Sequence, residues 1–473
     1  MVKKENGLSH WQLTMMALGT VIGGSFFLGS SVAIRAAGPS IIISYILAGI
    51  LVYFILYALS EMTVSNPDSG SFRTYAAEAF GKGTGFVVGW VYWTGMVLAM
   101  SSEATAVSIL VREWFPNTSI NLLGGIIIIS VTLLNLLGAD KLSKLESGLA
   151  AVKLFAIIAF IIIAALLITG VFPGVPAIGL GALAEESIVP GGIKGIAGSM
   201  LIVIFAYAGF EVIGLASSEA ENPRYTVPKA INLTVIMLVG LYILSVALLL
   251  PLIPTADINE NASPIVAGLN RWGIGWAGTV LNIVLISAIL STMLAAMFGL
   301  GRMIRSLTDE GLAPKFLKDR KDVPYRGILF SGFGMLVGLF FGRLVPSVYI
   351  FLISSGGFAL LFTYLVIVAS HIQFRRKHGV PAEGKCKLCG YPYSSLFVLI
   401  SLILVIISMP FVPGQTSGLI AGISIIVFYS VCYLVMKYSY NLENKRYKSI
   451  QNRYGKEYMT EFSEELSDDK DIE

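Results

Sequence analysis

Long uninterrupted apolar stretches alternate along the chain with short clusters of Pro, Gly and charge. Runs of spanning length centre on residues 12–34, 40–62, 85–111, 120–137, 145–170 and 195–217, and six more on 230–253, 276–301, 328–342, 346–372, 394–412 and 416–436. A hydrocarbon core takes about 20 apolar residues per crossing, so each run is read as a transmembrane segment. Lipid offers no partner for loose backbone groups, and continuous apolar runs of this length are not barrel strands. The pattern therefore predicts an all-α integral membrane protein of twelve spans. The first run opens at Leu8-Ser9-His10-Trp11 behind Lys3 and Lys4. It is too long and lacks a small-residue cleavage site, so it is expected to be a retained span rather than a signal peptide.

Composition agrees. The 473 residues are 55% apolar and 13% charged, against about 25% charged in soluble chains, and the missing charge excludes a soluble protein. The net charge of +4 matters less than its placement. Arg35, Arg112, Lys194, Arg271 and Arg343 fall in one set of alternate loops and Lys153 inside a span, leaving 27 of the 33 Lys and Arg on the other side with both ends of the chain. The positive-inside rule then makes both termini cytoplasmic, as expected of a multi-pass protein of the cell membrane. The densest clusters, Arg302 to Arg326 and Arg375 to Lys387, read as topological anchors and not as nucleic-acid sites. Residues 1–11 form a short cytoplasmic start, 171–194 a Pro- and Gly-rich outer loop, and 437–473 a cytoplasmic tail expected to be disordered.

Little of this points to an enzyme. Zinc-protease, nucleophile-elbow and phosphate-loop motifs are absent, and three His leave few general bases. Three Cys build no disulfide framework. Cys386-Lys387-Leu388-Cys389 behind His371 and His378 invites a zinc reading, but the His-to-His gap fits no common structural-zinc spacing. Neither metal nor cofactor is expected.

Chemistry is expected where spans are broken. The first contains Gly19-Thr20-Val21-Ile22-Gly23-Gly24-Ser25-Phe26-Phe27-Leu28-Gly29, glycines at its midpoint, and the sixth contains Phe205-Ala206-Tyr207-Ala208-Gly209-Phe210-Glu211. Unwinding at bilayer depth exposes N–H groups of one half-helix to a carboxylate and carbonyls of the other to an ammonium. Close packing through small residues is the other reading of such glycines. Two broken spans five apart suggest a five-plus-five inverted repeat, over 12–170 and 195–372, with two further helices at 394–436.

The chain also resembles a known family. Gly19 to Gly29, Ala37-Gly38-Pro39, Ser60-Glu61-Met62, Pro67 to Phe72, Gly89 to Trp93, Gly209-Phe210-Glu211, Glu219 to Pro223, Val227 to Ile231 and Gly301 to Ile304 are similar to motifs of the amino-acid permeases of the amino acid–polyamine–organocation superfamily, bacterial amino acid transporter type. The resemblance implies a LeuT-like inverted-repeat fold and secondary transport of an amino acid, usually proton-driven. It places substrate at Ile22, Gly23, Gly24 and Ser25 through backbone groups, with Phe205, Ala206 and Ala208 completing the cradle. Two departures stand out: Ser25 replaces a third glycine, and Leu294-Ala295-Ala296 replaces Asn-Ser-Gly in the eighth span.

Three charges lie within spans, each costing about 2.5–3.5 kcal/mol at bilayer depth unless partnered. Lys153 lies about ten residues into the fifth span, about 15 Å deep. It matches the family's lysine there, implied to sit against carbonyls of the broken first helix where sodium-coupled relatives hold a cation; it is the expected proton-coupling group, and a static lysine that only pins the first and fifth helices is the other reading. Glu103 can pair with a substrate ammonium, relay a proton, or stay a protonated carboxyl bonded to a neighbouring helix. Glu211 resembles the family's gate carboxylate, and Phe205 its aromatic lid, core packing being the other reading for one of 26 Phe. The expected partners are thus an amino acid, most simply a neutral one, protons and the bilayer. A polyamine or organic-cation carrier and a non-transporting amino-acid sensor are the alternatives, and the sequence does not decide the oligomeric state.

Overall fold

The computed structural model describes residues 7–65, 71–217, 220–260, 262–319, 323–342, 344, 347–379 and 386–438. The tail expected over 437–473 falls, from residue 439, outside the described residues. Among the described residues nine helices are long and apolar enough to cross a membrane, and Ile120–Asn135 and Gly192–Ala206 are shorter apolar helices. Two crossings of about 20 residues fit within the first of the nine, Gly24–Ser65, which turns at Gly38–Ser40. Of β-structure the described residues hold one bridge, between Leu8 and Ala220.

The first segment starts at α1 (His10–Val21), where Ser9 and Gln12 form a reciprocal cap: the Gln12 amide donates to Ser9 Oγ and the Ser9 amide to Gln12 Oε1. The helix stops at Ile22 and Gly23, whose backbones are extended, and resumes as α2 (Gly24–Phe27) and α3 (Gly29–Ala37). Leu28 between them keeps an α-region backbone, so the second half runs almost continuously to Ala37. A glycine costs about 1 kcal/mol relative to alanine inside a helix, so adjacent Gly23 and Gly24 make this the cheapest place to interrupt it. The sixth segment does the same: α9 (Gly192–Ala206) gives way to turns over 207–211 before α10 (Val212–Leu215).

Long apolar helices surround these breaks. They are α4 (Ile41–Ser65), α6 (Lys82–Val111), α7 (Ile120–Asn135), α8 (Ala139–Thr169), α11 (Pro223–Leu249), α13 (Gly275–Asp309), α14 (Tyr325–Gly342), α15 (Val348–His378) and α16 (Tyr393–Ser408). α6 and α15 pack along one another at the centre, their apolar windows 72% and 78% buried against 33% for α8, α11 and α16. Glycines set their spacing: a Cβ at Gly95 would meet Ala359 Cβ at 2.6 Å, and one at Gly356 the Ala99 amide at 3.1 Å. On the outer helices Ile126, Leu133, Phe155, Ile162, Ile236 and Phe333 are exposed, the apolar surface that lipid covers. A second compact unit begins at Ser424, within the last apolar helix, Thr416–Tyr438.

Two short helices were not foreseen, α5 (Phe72–Phe80) and α12 (Pro264–Arg271). Both lie between spans and are far too short to register as apolar runs, although Pro264 at the first turn is a start signal. The loop over 171–194 is largely irregular, with one 3-10 turn at Gly181–Ala184.

Candidate substrate and ion site

At the first break α1 ends with unpaired carbonyls and α2 begins with unpaired amides, and both sets are met by charges from other helices. Glu103, buried on α6, accepts from the Gly24 amide at 2.6 Å and the Ser25 amide at 3.1 Å. Lys153, fully buried on α8, donates to the Gly19 carbonyl at 2.6 Å and to Thr292 Oγ1 at 2.7 Å. Thr292, on α13, passes its own hydroxyl hydrogen to the Ile22 carbonyl at 2.9 Å. A cation thus stands at the carbonyl end of α1 and an anion at the amide end of the following half, the signs that aligned peptide dipoles favour. The ammonium braces two carbonyls of the unwound turn, one directly and one through Thr292.

The space between is small. A Cβ on Gly24 would lie 2.7 Å from Glu103 Oε2 and 3.1 Å from Ala106 Cβ, and one on Gly23 would lie 3.2 Å from both Glu103 Oε2 and Thr292 Oγ1. Tyr349 of α15 donates to the Gly24 carbonyl at 3.4 Å. Phe26 stacks on Tyr242 of α11, centroids 3.8 Å apart and planes 2° from parallel, walling the site with aromatic surface.

The sixth-segment break leans on the first. Gly209 has φ +106°, a backbone that L side chains rarely adopt, and a Cβ there would meet the Thr20 carbonyl at 3.0 Å. Thr20 Oγ1 donates in turn to the Gly209 carbonyl at 3.2 Å. Beside this contact the Ala206 carbonyl accepts from Tyr242 Oη at 3.3 Å and Ala208 is half-buried. Phe205 is buried, its ring near Gly357 of α15. Glu211 belongs to a second cluster, accepting from Tyr92 Oη at 3.0 Å, Tyr364 Oη at 3.3 Å and the Gly209 amide at 3.0 Å.

Ile22, Gly23, Gly24, Ser25, Glu103 and Lys153 therefore converge, Ala206 and Ala208 adjoin them through Gly209, and Phe205 and Glu211 engage other partners. Sequence reasoning missed Thr292, Tyr242, Tyr349, Tyr92 and Tyr364. The signal for Thr292 was the hydroxyl pair Ser291-Thr292 in an otherwise apolar run; it supplies a polar group one turn from Leu294-Ala295-Ala296.

A separate ionic cluster clamps the loop after α15. Buried Glu61 accepts from Arg375 Nη2 at 2.8 Å, contacts Arg375 Nε, accepts from the Leu388 amide at 2.9 Å and lies 3.3 Å from His371 Nε2. The Arg375 guanidinium carbon lies over the Tyr391 ring, 5.2 Å from the ring centroid. Cys386 is buried beside this cluster, and burial with the Glu61 charge pushes its thiol up to about 12. His371 is thereby engaged with Glu61, and no group of three or more His, Cys, Asp or Glu able to hold a metal occurs among the described residues.

Comparison with known proteins bears on the whole chain. The family model for amino acid permease matches residues 12–449. The gamma-aminobutyric acid permease of Bacillus subtilis (strain 168) is 32% identical over 438 residues, 90% of this chain and 93% of the relative. The aromatic amino acid transport protein AroP of Escherichia coli O6:H1 is 32% identical over 419 residues, 87% of this chain and 91% of the relative. In structure the chain is similar to a mutant manganese transporter of Eremococcus coleocola, with a TM-score of 0.54 over 92% of this chain and 97% of that one, at 15% identity, a likeness of fold alone. These matches, with a membrane-length helical fold and two broken segments meeting at paired charges, make this chain a transporter rather than an enzyme, a member of the amino acid permease family.

Proposed function

We propose that the chain is a secondary active transporter that carries a neutral amino acid together with protons across the cell membrane by alternating access, with both termini in the cytoplasm. The observation that carries the reading is the pair of opposite charges on the first break, Glu103 on the Gly24 and Ser25 amides and Lys153 on the Gly19 carbonyl. A zwitterion brings the same two charges and needs the same two sets of backbone groups. Glu103 and Glu211 are both committed to protein donors, which leaves neither to balance a charged substrate side chain and favours a neutral one.

On this reading Ile22, Gly23, Gly24 and Ser25 hold the α-carboxylate and α-amine, with Phe205, Ala206 and Ala208 around them. Lys153 governs coupling: charged, it braces the unwound turn, and its discharge frees α1 to move, so its proton selects which state reorients. Glu211 ties the sixth-segment break to α6 and α15 and so gates their relative motion. The twelve-span count and repeats over 12–170 and 195–372 belong to the same proposal.

Purified protein in liposomes tests it. Labelled amino-acid uptake driven by an inward proton gradient, competed by each of the twenty amino acids and by 4-aminobutyrate, should be inhibited by a small neutral subset. Inhibition by polyamines alone overturns the reading, and binding without counterflow would mark a sensor instead.

A further inference from the structure

The two amides best placed to receive a substrate carboxylate already hold one. Glu103 spans them with both oxygens, Oε2 on Gly24 and Oε1 on Ser25. Each of these N–H donors is already used by one Glu103 oxygen, so a second carboxylate can take them only by displacing the first, and two anions on one pair of amides would repel. We propose that Glu103 is a built-in competitor for the substrate carboxylate: the incoming amino acid takes the Gly24 and Ser25 amides only as Glu103 leaves them carrying a proton from water. Substrate binding and proton uptake are then one exchange at one pair of amides. This deepens the amino-acid reading above and rests on it.

The surroundings dictate the form in which Glu103 departs. The ionisable groups facing it are Lys153 on α8, Tyr242 on α11 and Tyr349 on α15. Each is engaged: Lys153 with Gly19 and Thr292, Tyr242 with the Ala206 carbonyl, Tyr349 with the Gly24 carbonyl. A bare carboxylate stripped of two amide donors in this buried setting keeps only the Lys153 charge, whose hydrogen bonds go to Gly19 and Thr292, and carries a desolvation cost that the neutral acid does not. The acid form also gains an O–H that can donate to the newly seated substrate carboxylate. The sign follows. At high pH Glu103 is ionised, seated and competes; at low pH it is protonated and yields, so amino-acid affinity rises as pH falls. Ligands lacking a carboxylate leave Glu103 in place and gain nothing from acid.

The test is equilibrium binding to the full-length purified protein between about pH 5 and about pH 8, comparing L-phenylalanine with phenethylamine and 4-aminobutyrate with propylamine. Linkage of one proton predicts a loss of up to about tenfold per pH unit for the carboxylate ligand across part of that range, and no such fall for the amine. In Glu103→Gln the curve flattens and affinity at the alkaline end rises above wild type. Infrared difference spectra should show a protonated-carboxyl band on adding the amino acid to wild type, absent in Glu103→Gln. The wild-type comparison needs no variant, so misfolding of Glu103→Gln leaves the test intact. Amino-acid binding without pH dependence, or with the wild-type slope retained in Glu103→Gln, overturns the competitor and leaves the transporter reading standing. Amine binding that is lost in Glu103→Gln also overturns it, making Glu103 a resident cation anchor. If none of the twenty amino acids nor 4-aminobutyrate binds at any pH, the amino-acid reading falls and takes the competitor with it.

Discussion

At the first break the freed backbone groups are satisfied from three other helices, Glu103 of α6, Lys153 of α8 and Thr292 of α13. At the sixth-segment break the carboxylate comes from two residues downstream, Glu211 turning back onto the Gly209 amide while two phenols hold its other lone pairs. Both breaks are largely buried and both use glycine, yet they differ in what must move to open them. A break held by borrowed charges responds to any shift of the helices that lend them, and to any proton those charges gain or lose. A break capped by its own carboxylate keeps its local shape and moves as a corner. On the proposed mechanism, charge borrowed from afar is what would make the first break a switch, and the Thr20 to Gly209 contact is where the corner would feel it.

The largest effect that can break this contrast is Gly24→Val. The branched side chain would intrude on Glu103, Ala106 and Ile289, all within 3.2 Å of its Cβ. Amino-acid binding should fall below detection, with about 1–3 kcal/mol lost from stability and membrane insertion retained. Unchanged affinity in the purified variant would remove the first break from the substrate site. Next is Lys153→Met, which deletes the charge and keeps the length. Accumulation driven by a pH gradient should drop to the level of the gradient-free control while counterflow continues. Full accumulation would reduce Lys153 to a brace. Because any proton exchanged at Glu103 survives in this variant, binding that stays pH-dependent while accumulation is lost would separate the proton taken at the site from the charge that governs reorientation. The smallest is Glu211→Gln, where an amide NH2 replaces one accepting oxygen. The amide oxygen can keep the Gly209 N–H and Tyr364 while the NH2 faces Tyr92, whose hydroxyl can reverse to accept, so only the charge is lost, and a cost of about 1 kcal/mol should appear as slower turnover with substrate affinity little changed. A collapse of affinity instead would show that the second break contacts substrate as directly as the first.

Which parts of this were readable in the chain follows from the range of the interactions. The helix-forming runs are local, and glycine makes each break cheap, but Gly124-Gly125 and Gly356-Gly357 lie inside unbroken helices, so the stops at Gly23-Gly24 and Gly209 also depend on the groups that receive their backbone. The convergence of Lys153 on the first-helix carbonyls was expected from family resemblance rather than from spacing, and Lys153 does lie on the Gly19 carbonyl. That Glu103 sits on the amides expected for substrate was not readable, because it depends on the register of α6 against a segment 79 positions earlier. Thr292 is the same case at 139 positions from Lys153, and the Glu61 clamp at 314 from Arg375. Helices α5 and α12 were missed for another reason: their length gives no periodic signal against much longer neighbours.

The clamp on the loop after α15 leaves the protein with its own spectroscopic handle. Cys389 is exposed, whereas Cys386, three residues before it, is buried with a thiol that burial holds protonated at neutral pH. A maleimide dye offered to the native chain thus meets a fast thiol and a slow one in the same loop. The slow rate reports how often the buried turn at Cys386, beside the Glu61 to Leu388 bond, opens. Once Cys432, the third free thiol, is replaced, timed labelling becomes a clock for the end of α15 that needs no substrate to run.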